Sequence, residues 1–140
     1  MVAAHQGDTG SVRAFLANGA DVNTVDRGFT PLLASLQAGR LETARLLIEP
    51  GADVNVQNSE GMAALAFAAH GGYSDIVRSL IERGADLNVT TREGWTPLML
   101  ASIMNRDAVV DLLIERGASV DARDRLGRTA MMEAAFYSNL

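Results

Sequence analysis

Two series of glycines repeat along the chain at almost the same spacing. The first series, the turn glycines, begins the segments Gly19-Ala20-Asp21, Gly51-Ala52-Asp53, Gly84-Ala85-Asp86 and Gly117-Ala118-Ser119, which are 32, 33 and 33 residues apart. The second series, the loop glycines, consists of Gly28, Gly61, Gly94 and Gly127, each 33 residues from the next. A fixed period of this length predicts a stacked array of one small structural unit.

Each unit is predicted to contain two short helices. In residues 28–51, Thr30 suits the N-cap of the first helix, and Pro31 suits its first position, where a missing N–H costs nothing. Gly39 is expected to end that helix, and a second helix is expected to end before Pro50-Gly51. Helices of about two turns are shorter than the roughly 12–15 residues at which isolated helices become stable. Neighbouring units must therefore stabilise them.

Apolar positions recur at fixed distances before each turn glycine, on one face of the second helix. Seven residues before it are Val12, Ala44, Val77 and Val110. Four residues before it are Phe15, Leu47, Leu80 and Leu113. Three residues before it are Leu16, Ile48, Ile81 and Ile114. The first helix carries the apolar series Leu32, Leu65, Leu98 and Met131. We expect these series to form the core. The polar residues after each turn glycine, such as Asp53 and Asn55, are expected to connect that turn to the next unit.

The segments Gly28-Phe29-Thr30-Pro31-Leu32 and Gly94-Trp95-Thr96-Pro97-Leu98, with the Gly-Ala-Asp segments that follow, resemble the ankyrin repeat. The resemblance covers essentially the whole chain. It implies an all-α ankyrin-repeat solenoid of stacked helix-turn-helix units with short hairpin-like loops. We expect a single domain over residues 1–140, with repeats at approximately 1–24 (partial), 25–56, 57–89, 90–122 and 123–140 (partial).

Three departures from this pattern have structural consequences. Unit three has Ala63-Ala64 in place of Thr-Pro, so its first helix loses a side-chain cap and is expected to start raggedly. Asn105 replaces the glycine that ends the first helix of unit four, a position at which asparagine is the best-tolerated substitute. The interval from Gly19 to Gly28 is one residue shorter than later ones, which predicts a tighter first loop.

Composition favours binding over catalysis. Net charge is −5 and cysteine is absent, which argues against a nucleic-acid surface and excludes thiolate chemistry. His70 with Ser74 and Asp75 superficially resembles a catalytic triad, but capping of the second helix is the stronger interpretation. We expect no enzymatic activity, cofactor or metal, no membrane or nucleic-acid partner, and a cytoplasmic location.

The resemblance implies that a protein or peptide partner contacts a concave face made of the loop tips and first helices. The candidate partner-binding residues on that face are Phe29, Met62, His70, Arg92, Trp95, Ile103, Met104, Arg125 and Tyr137. Phe29, Met62 and Trp95 follow the loop glycines and would form an apolar stripe, or they pack at the loop bases against their own units. If the stripe is exposed, Trp95→Ala combined with Ile103→Asp should remove binding and leave thermal stability little changed.

The C-terminal segment suggests a second hypothesis. Free-standing arrays usually have polar outer faces on their terminal units, yet this segment carries Met131, Phe136, Tyr137 and Leu140. Either further repeats follow and the chain is a targeting fragment of a larger multidomain protein, or the C-terminal end associates with another copy.

Overall fold

The computed structural model describes residues 1–49 and 51–138. The helices of this part are α1 Val2–Gln6, α2 Thr9–Ala17, α3 Pro31–Gln37, α4 Leu41–Ile48, α5 Ala64–Gly71, α6 Ser74–Glu82, α7 Pro97–Ile103, α8 Asp107–Glu115 and α9 Ala130–Tyr137. Pro50, expected just after α4, and Leu140, expected in the apolar C-terminal end, lie outside the described residues. None of the helices described here is long and apolar enough to cross a membrane.

The first helices of the units begin in one register, whether or not they have a side-chain cap. The Thr30 and Thr96 hydroxyls accept hydrogen bonds from the backbone N–H groups of Leu33 and Met99. Ala63 provides no such bond, as expected, yet α5 begins at Ala64, the equivalent of Pro31. The expected ragged start is therefore wrong, because burial of α5 residues such as Leu65 and Ala68 fixes the helix in place.

The helices form two rows, and the core lies between them. First helices α1, α3, α5, α7 and α9 pack in sequence, as do second helices α2, α4, α6 and α8. Within units two to four the predicted apolar series are largely buried, with Leu47, Leu65 and Leu80 almost fully covered, but Ile114 is 47 % exposed. At the ends the prediction fails, since Phe15 is 59 % exposed and Met131 is 81 % exposed. Within the described residues, no neighbouring unit covers one side of these core positions.

A series of asparagines connects each turn to the next unit, as the sequence predicted. The side-chain oxygens of Asn23, Asn55 and Asn88 accept hydrogen bonds from the backbone N–H groups of Asp53, Asp86 and Ser119, at 2.7, 2.8 and 2.9 Å. The Asn55 amide also donates to the Gly84 carbonyl at 3.1 Å. These bonds fix the height of each unit above its predecessor.

Two arginines make a second connection between adjacent units, which was not predicted from the sequence. Arg40 Nε donates to the His5 carbonyl at 3.3 Å, and Arg106 Nε donates to the His70 carbonyl at 3.1 Å. Both arginines immediately precede a second helix, so they join its start to the end of the preceding unit's first helix.

The loop departures have the expected effects. Asn105 adopts a positive φ of 55° at the end of α7. The short first loop closes over two residues, because Asp26 and Phe29 exchange backbone hydrogen bonds of 2.9 Å in both directions. Later loops close less tightly, with Asn58 N–H bonded to the Met62 carbonyl and Thr91 N–H bonded to the Trp95 carbonyl.

We predict that Asn55→Ala lowers the free energy of unfolding by about 1–2 kcal/mol, since it removes one donated and one accepted hydrogen bond between units. Asn55→Asp should cost less, because it keeps an acceptor for the Asp86 N–H. Urea unfolding followed by circular dichroism measures both. Equal stability of the alanine variant and the unchanged protein would show that these bonds contribute nothing.

Candidate functional site

Adjacent loops are joined by main-chain hydrogen bonds and braced by buried polar side chains. The backbone N–H of Arg92 donates to the Glu60 carbonyl, and that of Arg125 donates to the Glu93 carbonyl, both at 3.0 Å. Within the loops, buried Asn58 accepts hydrogen bonds from the Glu60 and Met62 N–H groups. The loops of units three to five therefore form one continuous ledge.

Two loop glycines allow this close approach. Gly61 and Gly94 have φ angles of 78° and 81°, in the left-handed region that favours glycine. A Cβ atom on Gly61 would lie 3.0 Å from the Arg92 nitrogen, and one on Gly94 would lie 3.1 Å from the Arg125 nitrogen. Glycine is thus needed here both for its backbone angle and for the space it leaves to the next loop.

A groove of about 520 Å³, the loop groove, lies between this ledge and the first helices. Its walls carry both signs of charge, and its lining includes the buried α7 residue Leu100. The lining residues are Glu60, Met62, His70, Thr91, Arg92, Glu93, Trp95, Leu100 and Arg125.

The structure brings together five of the nine candidate residues and separates the other four. Met62, His70, Arg92, Trp95 and Arg125 all line the loop groove. Phe29 lines a different groove of about 270 Å³ beside α1. The remaining three, Ile103, Met104 and Tyr137, line neither groove.

Trp95 and Phe29 are partly buried and pack against the core. Part of each side chain therefore packs at a loop base, and the remainder faces a groove. The Trp95 indole N–H also donates to Asp124 Oδ2 at 3.3 Å, which connects unit four to unit five. Met62 is half-buried as well, so the predicted stripe is a row of partly covered anchors.

A buried polar cluster lies behind Trp95 and includes Asp124, Arg128 and Glu133. Arg128 Nε lies 2.8 Å from Glu133 Oε1 and 3.4 Å from Asp124 Oδ2. Asp124 also accepts hydrogen bonds from the backbone N–H groups of Leu126 and Arg128, each at 2.9 Å. Arg128 is thereby neutralised, so Arg123, Arg125 and Arg128 do not form a shared basic patch.

The pKa values of the two carboxyl groups in this cluster shift in opposite directions. Burial raises the pKa of Glu133 above its usual 4.5, against the opposing charge of Arg128; nearby Asp124 raises it further. Burial would also raise the pKa of Asp124, but backbone N–H groups and the Trp95 indole hold it below its usual 3.8. Within the described residues, no partner forms a hydrogen bond of good geometry with either Glu133 oxygen.

Sequence reasoning missed some groove residues and the whole cluster. Glu60 and Glu93 were recognisable as loop-tip residues, but nothing separated them from an ordinary solvated edge. Leu100 belongs to the aligned series Ala34, Phe67, Leu100 and Glu133, whose variable size and charge were the available signal. Across residues 1–49 and 51–138, no group of three His, Asp or Glu side chains is arranged to hold a metal ion.

Comparison with known families agrees with the stacked architecture. A family model described as ankyrin repeats (3 copies) matches residues 1–91, 46–124 and 67–140, and so covers the chain. The chain belongs to the ankyrin-repeat family. Ankyrin repeats are generally protein–protein interaction modules, and proteins of the family are typically non-enzymatic.

Two curated ankyrin-repeat relatives align with about half of the chain. The human DNA-binding protein RFXANK is 41 % identical over 71 residues, which cover 49 % of this chain and 27 % of that protein. A putative ankyrin repeat-containing protein of Treponema pallidum (strain Nichols) is 36 % identical over 69 residues, covering 48 % of this chain and 23 % of that protein. The matched segments thus span about a quarter of each relative's length.

Replacement of Trp95 is expected to lower stability in two steps. Trp95→Phe keeps an aromatic ring but loses the hydrogen bond to Asp124, which should cost about 1 kcal/mol. Trp95→Ala also removes packing against the core and should cost about 2–4 kcal/mol. Urea unfolding followed by circular dichroism at 222 nm measures both, with Val25→Ala as an exposed control. If Trp95→Ala unfolds at the same urea concentration as the unchanged protein, the Trp95 side chain does not contribute to the core and this prediction is wrong.

We predict that Glu133→Gln weakens the pH dependence of stability. The folded-state pKa of Glu133 is raised, so its stabilising contribution is complete below about pH 4.5 and is lost as pH rises through the folded pKa. The glutamine variant should therefore gain stability relative to the unchanged protein between pH 4.5 and pH 8. Asp124 acts in the opposite sense, because its contribution is lost as pH falls below 3.8.

Urea unfolding at several pH values provides the measurement for this prediction, and Glu60→Gln, at an exposed loop tip, provides the control. A stability difference between Glu133→Gln and the unchanged protein that is constant from pH 4.5 to 8 would contradict it.

Proposed function

We propose that the chain is a non-catalytic module that binds a protein or peptide in the loop groove. The convergence of Met62, His70, Arg92, Trp95 and Arg125, drawn from three units, is the observation that supports this proposal. Partly buried aromatic and methionine side chains with exposed edges are suited to be binding anchors. The packing of Trp95 and its bond to Asp124 hold its ring in place before a partner arrives.

The groove chemistry favours an extended peptide segment with one apolar side chain between polar neighbours. Met62, Trp95 and Leu100 provide apolar surface for the central side chain. Along the ledge Glu60, Arg92, Glu93 and Arg125 alternate in sign, so residues of both charges on the partner can pair with them. Charge of this kind contributes more to specificity than to affinity.

The remaining candidate residues extend this surface. We propose that Phe29, in the groove beside α1, makes a second contact with a longer partner. Ile103 and Met104, partly exposed at the end of α7, and Tyr137 at the end of α9 would meet segments that leave the loop groove. The rings of Tyr137 and Phe136 pack edge to face with their centroids 5.1 Å apart, so the two rings lie side by side.

A protein partner is proposed in preference to nucleic acid or a membrane. The net charge is −5, and the ledge arginines alternate with glutamates, so no stripe of positive charge forms to follow phosphates. The DNA binding in the name of the human relative is a property of that protein and is not carried over to this chain. The cytoplasmic location expected from the sequence stays a prediction, as does association of two copies. We propose that residues 1–140 act as one array of the five units defined above.

The loop groove is tested by reversing its charges. Peptides are selected on the immobilised chain from a displayed random library, and their affinities are measured by fluorescence anisotropy. Arg92→Glu/Arg125→Glu should weaken the selected peptides by about tenfold, since two ledge contacts become repulsive. Both side chains are exposed, so folding should be unaffected.

Arg13→Glu/Arg116→Glu makes the same change of charge at exposed positions in α2 and just after α8, and it should leave affinity unchanged. The proposal fails if the selected peptides bind the two double variants equally well. Selective capture of duplex DNA by the unchanged protein would favour a nucleic-acid function instead.

A further inference from the structure

One oxygen of Asp124 is shared between the loop groove and the buried cluster behind it. Oδ2 accepts a hydrogen bond from the Trp95 indole N–H at 3.3 Å and lies 3.4 Å from Arg128 Nε. The other oxygen, Oδ1, accepts hydrogen bonds from the backbone N–H groups of Leu126 and Arg128. A change in the partner of the Arg128 side chain therefore changes the charge that Oδ2 offers to Trp95.

Arg128 Nε has two carboxyl groups within reach and one hydrogen to donate. Glu133 Oε1 is the nearer, at 2.8 Å, and Asp124 Oδ2 is the farther, at 3.4 Å. The shorter distance is that of an ion pair between Arg128 and an ionised Glu133. Protonation of Glu133 would make it a weaker acceptor and leave Asp124 as the one carboxylate that balances the charge of Arg128.

The charges that face Glu133 come from the loop of its own unit. α7, against which α9 packs, has no acidic or basic side chain, and α9 has none besides Glu133. Burial favours the neutral form of Glu133 and raises its pKa, the charge of Arg128 opposes this, and Asp124 favours the neutral form again. Glu133 is fully covered, so no solvent replaces these contacts when it gains or loses a proton.

Unit three indicates which bonds of Asp124 the loop itself needs. Asn58, the repeat equivalent of Asp124, accepts through Oδ1 the corresponding bonds from the backbone N–H groups of Glu60 and Met62. A side-chain amide therefore suffices to brace the loop. The second carboxylate oxygen is needed only for Trp95 and Arg128.

We propose that Asp124 is the positioning residue of the loop groove and that a proton on Glu133 weakens its hold on Trp95. With Glu133 ionised, Arg128 pairs with Glu133, and Asp124 Oδ2 is a strong acceptor for the indole N–H. With Glu133 protonated, Arg128 turns to Asp124 and competes with the indole for Oδ2. Trp95 is then held less firmly, and a peptide binds more weakly in acid. The inference rests on the proposed function, since Trp95 acts here as the anchor for a peptide in the loop groove.

Trp95 is the one tryptophan of the chain, so its fluorescence reports on this position directly. In the chain without peptide, the emission maximum should move to longer wavelength as pH falls from 8 to 4.5, because a loosely held ring gains contact with water. Glu133→Gln should show the acid emission at both pH values, since glutamine resembles the protonated acid. His70→Asn removes the groove imidazole and should keep the shift.

Peptides selected on the immobilised chain provide the binding test, with affinity measured by fluorescence anisotropy. At pH 8 Glu133→Gln should bind about fivefold more weakly than the unchanged protein, the effect of weakening one hydrogen bond. At pH 4.5 the two should bind alike. Glu133→Gln is expected to be the more stable protein at pH 8, so loss of structure does not account for its weaker binding.

Two further variants locate the effect. Asp124→Asn keeps the loop bonds that Asn58 makes in unit three but loses the acceptor for Trp95, so it should bind weakly at both pH values. Asp111→Asn makes the same change of charge at an exposed position of α8 and should keep both the affinity and the pH dependence of the unchanged protein.

Calorimetry gives an independent measure of the same coupling. Because the peptide favours ionised Glu133, binding should release protons at a pH within the titration of Glu133, and the heat should depend on the ionisation enthalpy of the buffer. Glu133→Gln should release fewer protons.

The outcomes separate this inference from the proposed function. If peptides bind in the loop groove but Glu133→Gln and the unchanged protein show the same pH dependence of emission and affinity, the inference is wrong and the proposed function stands. If no selected peptide loses affinity in Arg92→Glu/Arg125→Glu, the proposed function is wrong and the inference falls with it.

Discussion

Dependence of each short helix on the units beside it governs the rest of this structure. No helix in residues 1–49 and 51–138 exceeds nine residues, too few for stability alone in water. Burial between neighbours supplies the stability, so side chains such as Leu47 and Leu80 are restricted to apolar shapes that fit. Loop tips and end faces carry no such restriction. The loop groove lies along the ledge formed by these loop tips.

Sequence predicted most of what repeats and little of what occurs once. The cap at Thr30, the positive φ of Asn105, the tight first loop and the asparagine connections each follow from a local pattern or a repeated column. The exposure of Phe15 and Ile114 was missed because a column of apolar residues does not show which of its members a neighbouring unit covers. The ion pair of Arg128 with Glu133 was missed because nothing in the repeat places a charge at those positions elsewhere.

Unit five combines a polar interior with an apolar exterior, which reverses the usual arrangement. Glu133 is fully covered and opposes Arg128, while Met131 and Phe136 on the same helix are exposed. Replacing a buried ion pair by apolar residues is often neutral or stabilising, so the pair is weak evidence for stability. Through Asp124 and the Trp95 indole, the cluster instead supports the ledge of the loop groove.

Two loop glycines, Gly61 and Gly94, are restricted more tightly than the turn glycines. Around turn glycines such as Gly84 a Cβ would meet nothing within 4 Å, so only the backbone angle opposes a substitution, and asparagine already satisfies that angle at position 105. At Gly94 the neighbouring loop also closes off the space. Substitution is therefore expected to be tolerated best in the exposed dipeptides just ahead of the loop glycines, including Arg92-Glu93. New binding preferences can arise there by exchanging tip residues, without any change to the folded frame.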